Sequence, residues 1–202
     1  KRNIIVFSGK LNKSKGFDIF GKSIIKILNK YPEWYAEVYG NEQRETFTFN
    51  HPRLKINNWI SHYKLLNVYE KSSISVVNPT WEEPFGRTAL ESASRGCAVI
   101  TSKSGGLSET FNNNLVLKKN NVRELTKSIS NLIKKKLLLK KIQIENFKNV
   151  IHTPLKSVIA LDELRTNKKL NIPIDHKNFK ILHISNFGIK NDHRLFNLSI
   201  AK

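Results

Sequence analysis

Ile74-Ser75-Val76-Val77-Asn78-Pro79-Thr80, followed after Trp81-Glu82 by Glu83-Pro84-Phe85-Gly86-Arg87-Thr88-Ala89-Leu90-Glu91, decides the fold of this chain. The first run is apolar and β-branched, is stopped by Asn-Pro, and reads as a strand of a parallel sheet. A helix begins near Gly86 and continues through Ala93, so the residues between form a strand-to-helix turn. In a doubly wound sheet such turns lie at the carboxyl edge, where ligands bind. The free N–H groups of a helix start receive an anion there, phosphate above all. Gly86 removes a side chain where a ligand would approach. Glu83 precedes the helix and Glu91 lies in its second turn. Because helical side chains lean back toward the N-terminus, both carboxylates face one crevice.

Working outward, the alternation of strand and helix patterns continues on both sides. Residues 3–8 read as a buried strand, 17–29 as an amphipathic helix, 35–39 as a second strand and 54–56 as a third. A helix over 61–70, the strand at Ile74, the motif helix and a strand over 98–101 follow, then a short strand over 114–118. Residues 122–149 are helical with a break at Lys134-Lys135-Lys136, and 155–165 give one more helix. The fold class is α/β, a Rossmann-like doubly wound parallel sheet with a strand-helix appendage at its carboxyl end. Residues 166–178 are polar, contain Pro173 and read as a linker. Beyond it, 179–185 is a strand pattern, followed by a loop at Gly188 and a helix from about His193.

The nine residues Glu83 to Glu91 resemble the E-x7-E motif of retaining GT-B glycosyltransferases, family 4 in particular. Gly9-Lys10-Leu11 with Lys15-Gly16-Phe17 is similar to that family's first strand-to-helix loop, in which Arg is more usual at the place of Lys10. Ser92-Ala93-Ser94-Arg95-Gly96 resembles the helix end before the next strand, and Gly105-Gly106-Leu107-Ser108-Glu109 the loop after it. The resemblance runs over about 3–165 and implies the carboxyl-terminal, donor-binding half of such an enzyme, here the domain 1–165. The chain therefore reads as a fragment. Residues 179–202 look like the start of a second glycosyltransferase domain; the plainer alternative is an extra strand on the first sheet.

By this resemblance the chain transfers a sugar from a nucleotide-diphosphate sugar to an acceptor hydroxyl, with retention. Glu83, Lys10 and Lys15 are the expected catalytic residues. Glu83 meets the donor sugar, and the two ammonium groups neutralise the departing diphosphate. Glu91 is expected on the ribose hydroxyls, with Gly9, Phe85, Gly86, Arg87, Thr88, Gly105 and Gly106 shaping the donor pocket. Read alone, Lys10 and Lys15 are surface charge, Gly105-Gly106 is a plain turn, and Glu91 pairs with Arg87 four residues earlier, in the poorer order for such a pair. Trp59 and Trp81 are candidates for stacking on a base or sugar, or for packing. The alternative functions are a sugar-nucleotide epimerase or phosphorylase of GT-B fold, or a non-catalytic membrane-binding module.

Composition narrows the partners. There are 35 Lys and Arg against 16 Asp and Glu, a net charge of +19, mostly Lys spread along the chain. No nucleic-acid motif accompanies this charge, so no nucleic-acid partner is expected; the lysines read first as a solvated surface, and the alternative partner the charge suits is an anionic membrane or a lipid-linked acceptor glycan. Cys97 stands alone in an apolar setting, which excludes an internal disulfide, points to a reducing compartment and makes it a core residue. The expected location is cytoplasmic, with peripheral contact at the inner face of the membrane. The six histidines show no metal-ligand spacing, so neither metal nor cofactor is expected.

Overall fold

The computed structural model describes residues 1–109 and 115–148. Its first apolar run is strand β1 (Arg2–Ser8), followed by a 3-10 turn at Lys13–Lys15 and helix α1 (Phe17–Lys30). Then come β2 (Tyr35–Tyr39), β3 (Leu54–Asn57), α2 (His62–Lys71), β4 (Ser72–Val77) and α3 (Arg87–Ser94). Strand β5 (Ala98–Thr101), a 3-10 turn at Gly105–Glu109, α4 (Val122–Lys134) and α5 (Lys136–Lys148) complete the order. All four strand pairings are parallel, and the sheet order is β3-β2-β1-β4-β5. The chain thus winds outward from β1 to one edge, then returns beside β1 to wind toward the other. The switch falls between β1 and β4, where the loops that follow the two strands diverge and open a crevice.

Both faces of the sheet are covered, which is why β1, β4 and β5 carry buried runs rather than an alternating pattern. One face packs Ile5, Phe7, Ile74 and Ile100 against α1 and α4, with Leu139 and Ile142 of α5 joining them. The other packs Val6 and Val99 against Tyr69, Ala89 and Ala93 of α2 and α3. Cys97 belongs to this second core, is fully buried, and has its thiol pushed up to about 12 by burial.

The segment between β2 and β3 has no regular structure but is anchored by aromatic packing. Phe47 and Phe49 stack with centroids 6.0 Å apart, and each meets Phe17 edge-on. Gly21 makes room for them: a Cβ there would lie 2.1 Å from the Phe49 ring. One expected element is corrected. Of the strand placed at 114–118, the described residues form only an isolated bridge between Val116 and Thr101. Past Leu117 the pairing stops, and Asn120 bonds instead to the loop after β4. The Lys-rich break is real, with α4 ending at Lys134 and α5 beginning at Lys136. The helix expected over 155–165, the linker 166–178 and the second-domain start 179–202 lie outside the described residues.

Candidate functional site

Two loops build the crevice, one after β1 and one after β4, and hydrogen bonds join them. Buried Asn12 organises the first: its Oδ1 accepts from the Lys15 N–H at 3.0 Å and from Ser14 Oγ at 2.9 Å, which sets the 3-10 turn. Gly16 then adopts φ 75°, the left-handed region that favours glycine, and α1 begins. A side chain at Gly16 is doubly excluded, since its Cβ would lie 2.0 Å from the Asn78 carbonyl oxygen. Asn78 Nδ2 donates back to the Gly16 carbonyl at 3.1 Å, and Thr80 donates from its N–H to Ser14 O and from Oγ1 to Lys13 O.

Asn120 donates to the carbonyls of Asn78 and Pro79 at 2.9 and 3.0 Å, which fixes the second loop from behind. Ser102 and Ser104 add bonds to the Pro79 carbonyl. None of these polar anchors was singled out by the sequence reading. Asn78 had a signal in being an amide at a strand end, but its partners Gly16 and Asn120 are distant in sequence.

The expected catalytic residues fall as follows. Lys15 Nζ lies 2.6 Å from Glu83 Oε2, and the Trp81 indole donates to the same oxygen at 3.2 Å. The Lys15 ammonium also sits 4.7 Å above the Trp81 ring, so Trp81 packs on the pair rather than standing free as a stacking surface. Lys10 is exposed on the rim of the crevice, with no ion-pair partner among the described residues.

Gly105 and Gly106 hold the Glu83 backbone. The Gly106 N–H donates to Glu83 O at 3.0 Å, and a Cβ on Gly105 (φ 56°) would lie 2.4 Å from that oxygen. They are closer to the site than a plain surface turn.

The second carboxylate stands on α3. Gly86, at φ 74°, starts this helix, and no side chain caps its first turn. Glu91 Oε1 lies 3.3 Å from Arg87 Nε and 3.1 Å from His62 Nε2, so α2 contributes a second partner that the sequence reading missed.

A cavity of about 620 Å³ lies between Gly9, Lys10, Trp59, Arg87, Thr88 and Glu91. A second of about 480 Å³ adjoins it, with Glu83, Phe85 and Gly86 in its lining, and Gly9, Lys15, Arg87 and Thr88 border both. Trp59 is held in the wall by a hydrogen bond from its indole to Asn41 Oδ1. Beside the first loop, Glu42 accepts from Asn12 Nδ2 and from the backbone N–H and two side-chain nitrogens of Arg44, and Arg44 holds its carboxyl down at about 2. The arrangement offers a long, partly basic trench with a carboxylate near each end. Such a trench suits a molecule with an anionic middle and hydroxyl-bearing ends.

Comparison with known proteins bears on the family and the fold. The family described as Glycosyl transferases group 1 matches residues 1–150. An uncharacterized 42.6 kDa protein of the cps region of Klebsiella pneumoniae is 32% identical over 104 residues, covering 51% of this chain and 27% of its own. The lipopolysaccharide core biosynthesis mannosyltransferase LpcC of Rhizobium leguminosarum bv. viciae is 25% identical over 118 residues, covering 54% of this chain and 33% of its own. The chain spans a third or less of the length of each of six curated relatives, from 11% to 33%.

Among solved structures, the C-terminal domain of a glycosyl transferase group 1 family protein (LpcC) from Francisella tularensis superposes with TM-score 0.65 and 24% identity, covering 72% of this chain and 82% of that one. Anabaena HepE, solved with UDP and glucose, gives 0.67 at 16% identity, covering 82% of this chain and 48% of that one. These structural likenesses are of fold.

Proposed function

From the premise that the chain belongs to the group 1 glycosyl transferases, we propose that it is the donor-binding part of an enzyme that transfers a sugar from a nucleotide-diphosphate sugar to an acceptor hydroxyl, with retention. The observation that carries this is the convergence of Lys15, Glu83, the uncapped start of α3 and Glu91 on one trench at the β1/β4 switch. The diphosphate lies over Gly9 and the first turn of α3, where Arg87 and Thr88 present backbone N–H groups, and Lys10 and Lys15 take its charge. Glu91 receives the ribose hydroxyls, and Glu83 the hydroxyls of the sugar.

Catalysis then rests on electrostatic stabilisation of the leaving diphosphate. The ammonium groups and the helix start supply the positive charge, so the proposal assigns no metal. When the donor enters, Lys15 turns from Glu83 toward phosphate, which frees the Glu83 carboxylate for the sugar.

An acceptor glycan, free or lipid-linked, in cell-surface polysaccharide or lipopolysaccharide assembly is the setting that the names of the relatives support. With a net charge of +19, an anionic bilayer at the cytoplasmic face is the second partner we assign. No described helix is long and apolar enough to cross a membrane.

Calorimetric titration with UDP, GDP and ADP and their sugar conjugates tests the proposal. One nucleotide should bind, and Lys15→Ala and Glu91→Ala should each weaken it roughly tenfold or more, the worth of a charge-assisted hydrogen bond. Binding that neither substitution changes would remove the donor site from this trench.

A further inference from the structure

A cavity of about 780 Å³ lies apart from this chemistry, between the outer sides of α1 and α4. Lys26, Lys30, Lys118, Arg123, Lys127 and Lys134 line it, against the single carboxylate of Glu124. Among the described residues none of these six cations forms an ion pair. Lysines that merely solvate a helix face are ordinarily interspersed with acids, as at Lys141 and Glu145. Here the cations converge on one concave surface.

The chain leads from this cleft directly into an apolar feature. Lys134 is the last residue of α4, Lys135 and Lys136 follow, and Leu137 comes next with 86% of its surface exposed. Helical spacing puts Lys140, Lys141, Ile144 and Lys148 on the same side of α5 as Leu137, and all are exposed. Phe147, 66% exposed, borders that side. A lone exposed apolar residue is ordinary. Three on one helix, interleaved with lysines, make a surface whose apolar groups enter a headgroup layer while the ammonium groups stay at the phosphates.

We propose that the α1/α4 cleft and the adjoining exposed side of α5 dock this protein on an anionic lipid bilayer, the cleft lysines facing lipid phosphates and Leu137 entering the headgroup boundary. The inference rests on the reading of a bilayer as second partner and gives it a place. That place lies away from the residues of the donor trench, so bilayer and nucleotide bind without competing.

The test is co-sedimentation of the whole 202-residue chain with phosphatidylcholine vesicles with and without about a third phosphatidylglycerol, at low and high salt. Binding is expected only with the anionic lipid. Lys26→Glu/Lys134→Glu should lower it at least about tenfold, since each basic residue near such a surface contributes appreciably. Lys55→Glu/Lys64→Glu, with the same change of net charge on exposed residues elsewhere, should change it less than about twofold. Leu137→Ser should remove the binding that survives high salt. Circular dichroism identifies any variant that fails to fold, and Lys134→Gln then replaces it.

Equal losses in both charge-reversed doubles would overturn the placement. No binding to anionic vesicles by the unaltered chain would overturn the bilayer reading itself, as would loss of vesicle binding to an equal mass of RNA. Nucleotide titration remains the separate measure of the donor trench.

Discussion

Glu83 and Lys15 neutralise each other across 2.6 Å, although 68 positions separate them in the chain. If the pair opens on donor binding, Glu83→Gln leaves Lys15 freer for phosphate. Titration should then show nucleoside diphosphate binding unchanged or tighter, while affinity for the sugar conjugate falls. A parallel loss of both would mean that Glu83 only props up the loop. Gly16→Ala should cost at least about 2 kcal/mol in denaturant unfolding, combining a left-handed backbone with a Cβ at 2.0 Å from Asn78 O. Cys97, with its thiol at about 12, should resist alkylation at pH 8 until the protein is unfolded. The residues named from sequence are those whose meaning is local: E-x7-E is readable because its members share one turn and one helix. The Lys15–Glu83 pair, the Gly16–Asn78 contact and the His62–Glu91 bond join residues on different elements, and only the folded sheet brings them within reach.

At the scale of elements, periodicity identified all five described strands in outline, because buried parallel strands and amphipathic helices differ plainly in spacing, and it placed one strand too many. That extra strand, 114–118, reduces among the described residues to a bridge at Val116, where Thr101 donates to Leu115 O and accepts from the Leu117 N–H on the edge of β5. The segment between β2 and β3 had no readable pattern, as its order comes from Phe47 and Phe49 against Phe17 and from side-chain bonds to Asn12 and Lys13. Phe17→Ala should therefore cost about 3–5 kcal/mol and loosen that segment as well. Glu42 is the acid-sensitive tie. With its carboxyl at about 2, below the ordinary value of about 4.3, its contribution is full above that ordinary value and drains away as pH falls toward 2. Pepsin should cut this segment increasingly over that interval, whereas Glu42→Gln should already be cut by a neutral protease at pH 7.

For the molecule as a whole, sheet order and chemistry are linked: only at the β1/β4 switch do neighbouring loops part, so the trench could form nowhere else on this sheet. The order itself follows from the alternation of elements, but which loops touch across the switch does not. By the proposed division of labour, this chain alone should bind a nucleotide sugar yet transfer it little or not at all to an added acceptor, by product chromatography. The bonds from Thr80 to Lys13 and Ser14, and from Asn78 to Gly16, make the two loops one object. Anyone wishing to redirect the proposed transferase to another donor by transplanting loops from a relative should therefore exchange 9–16 and 78–86 together. A single graft would bring a backbone cut to fit a neighbour that is no longer there.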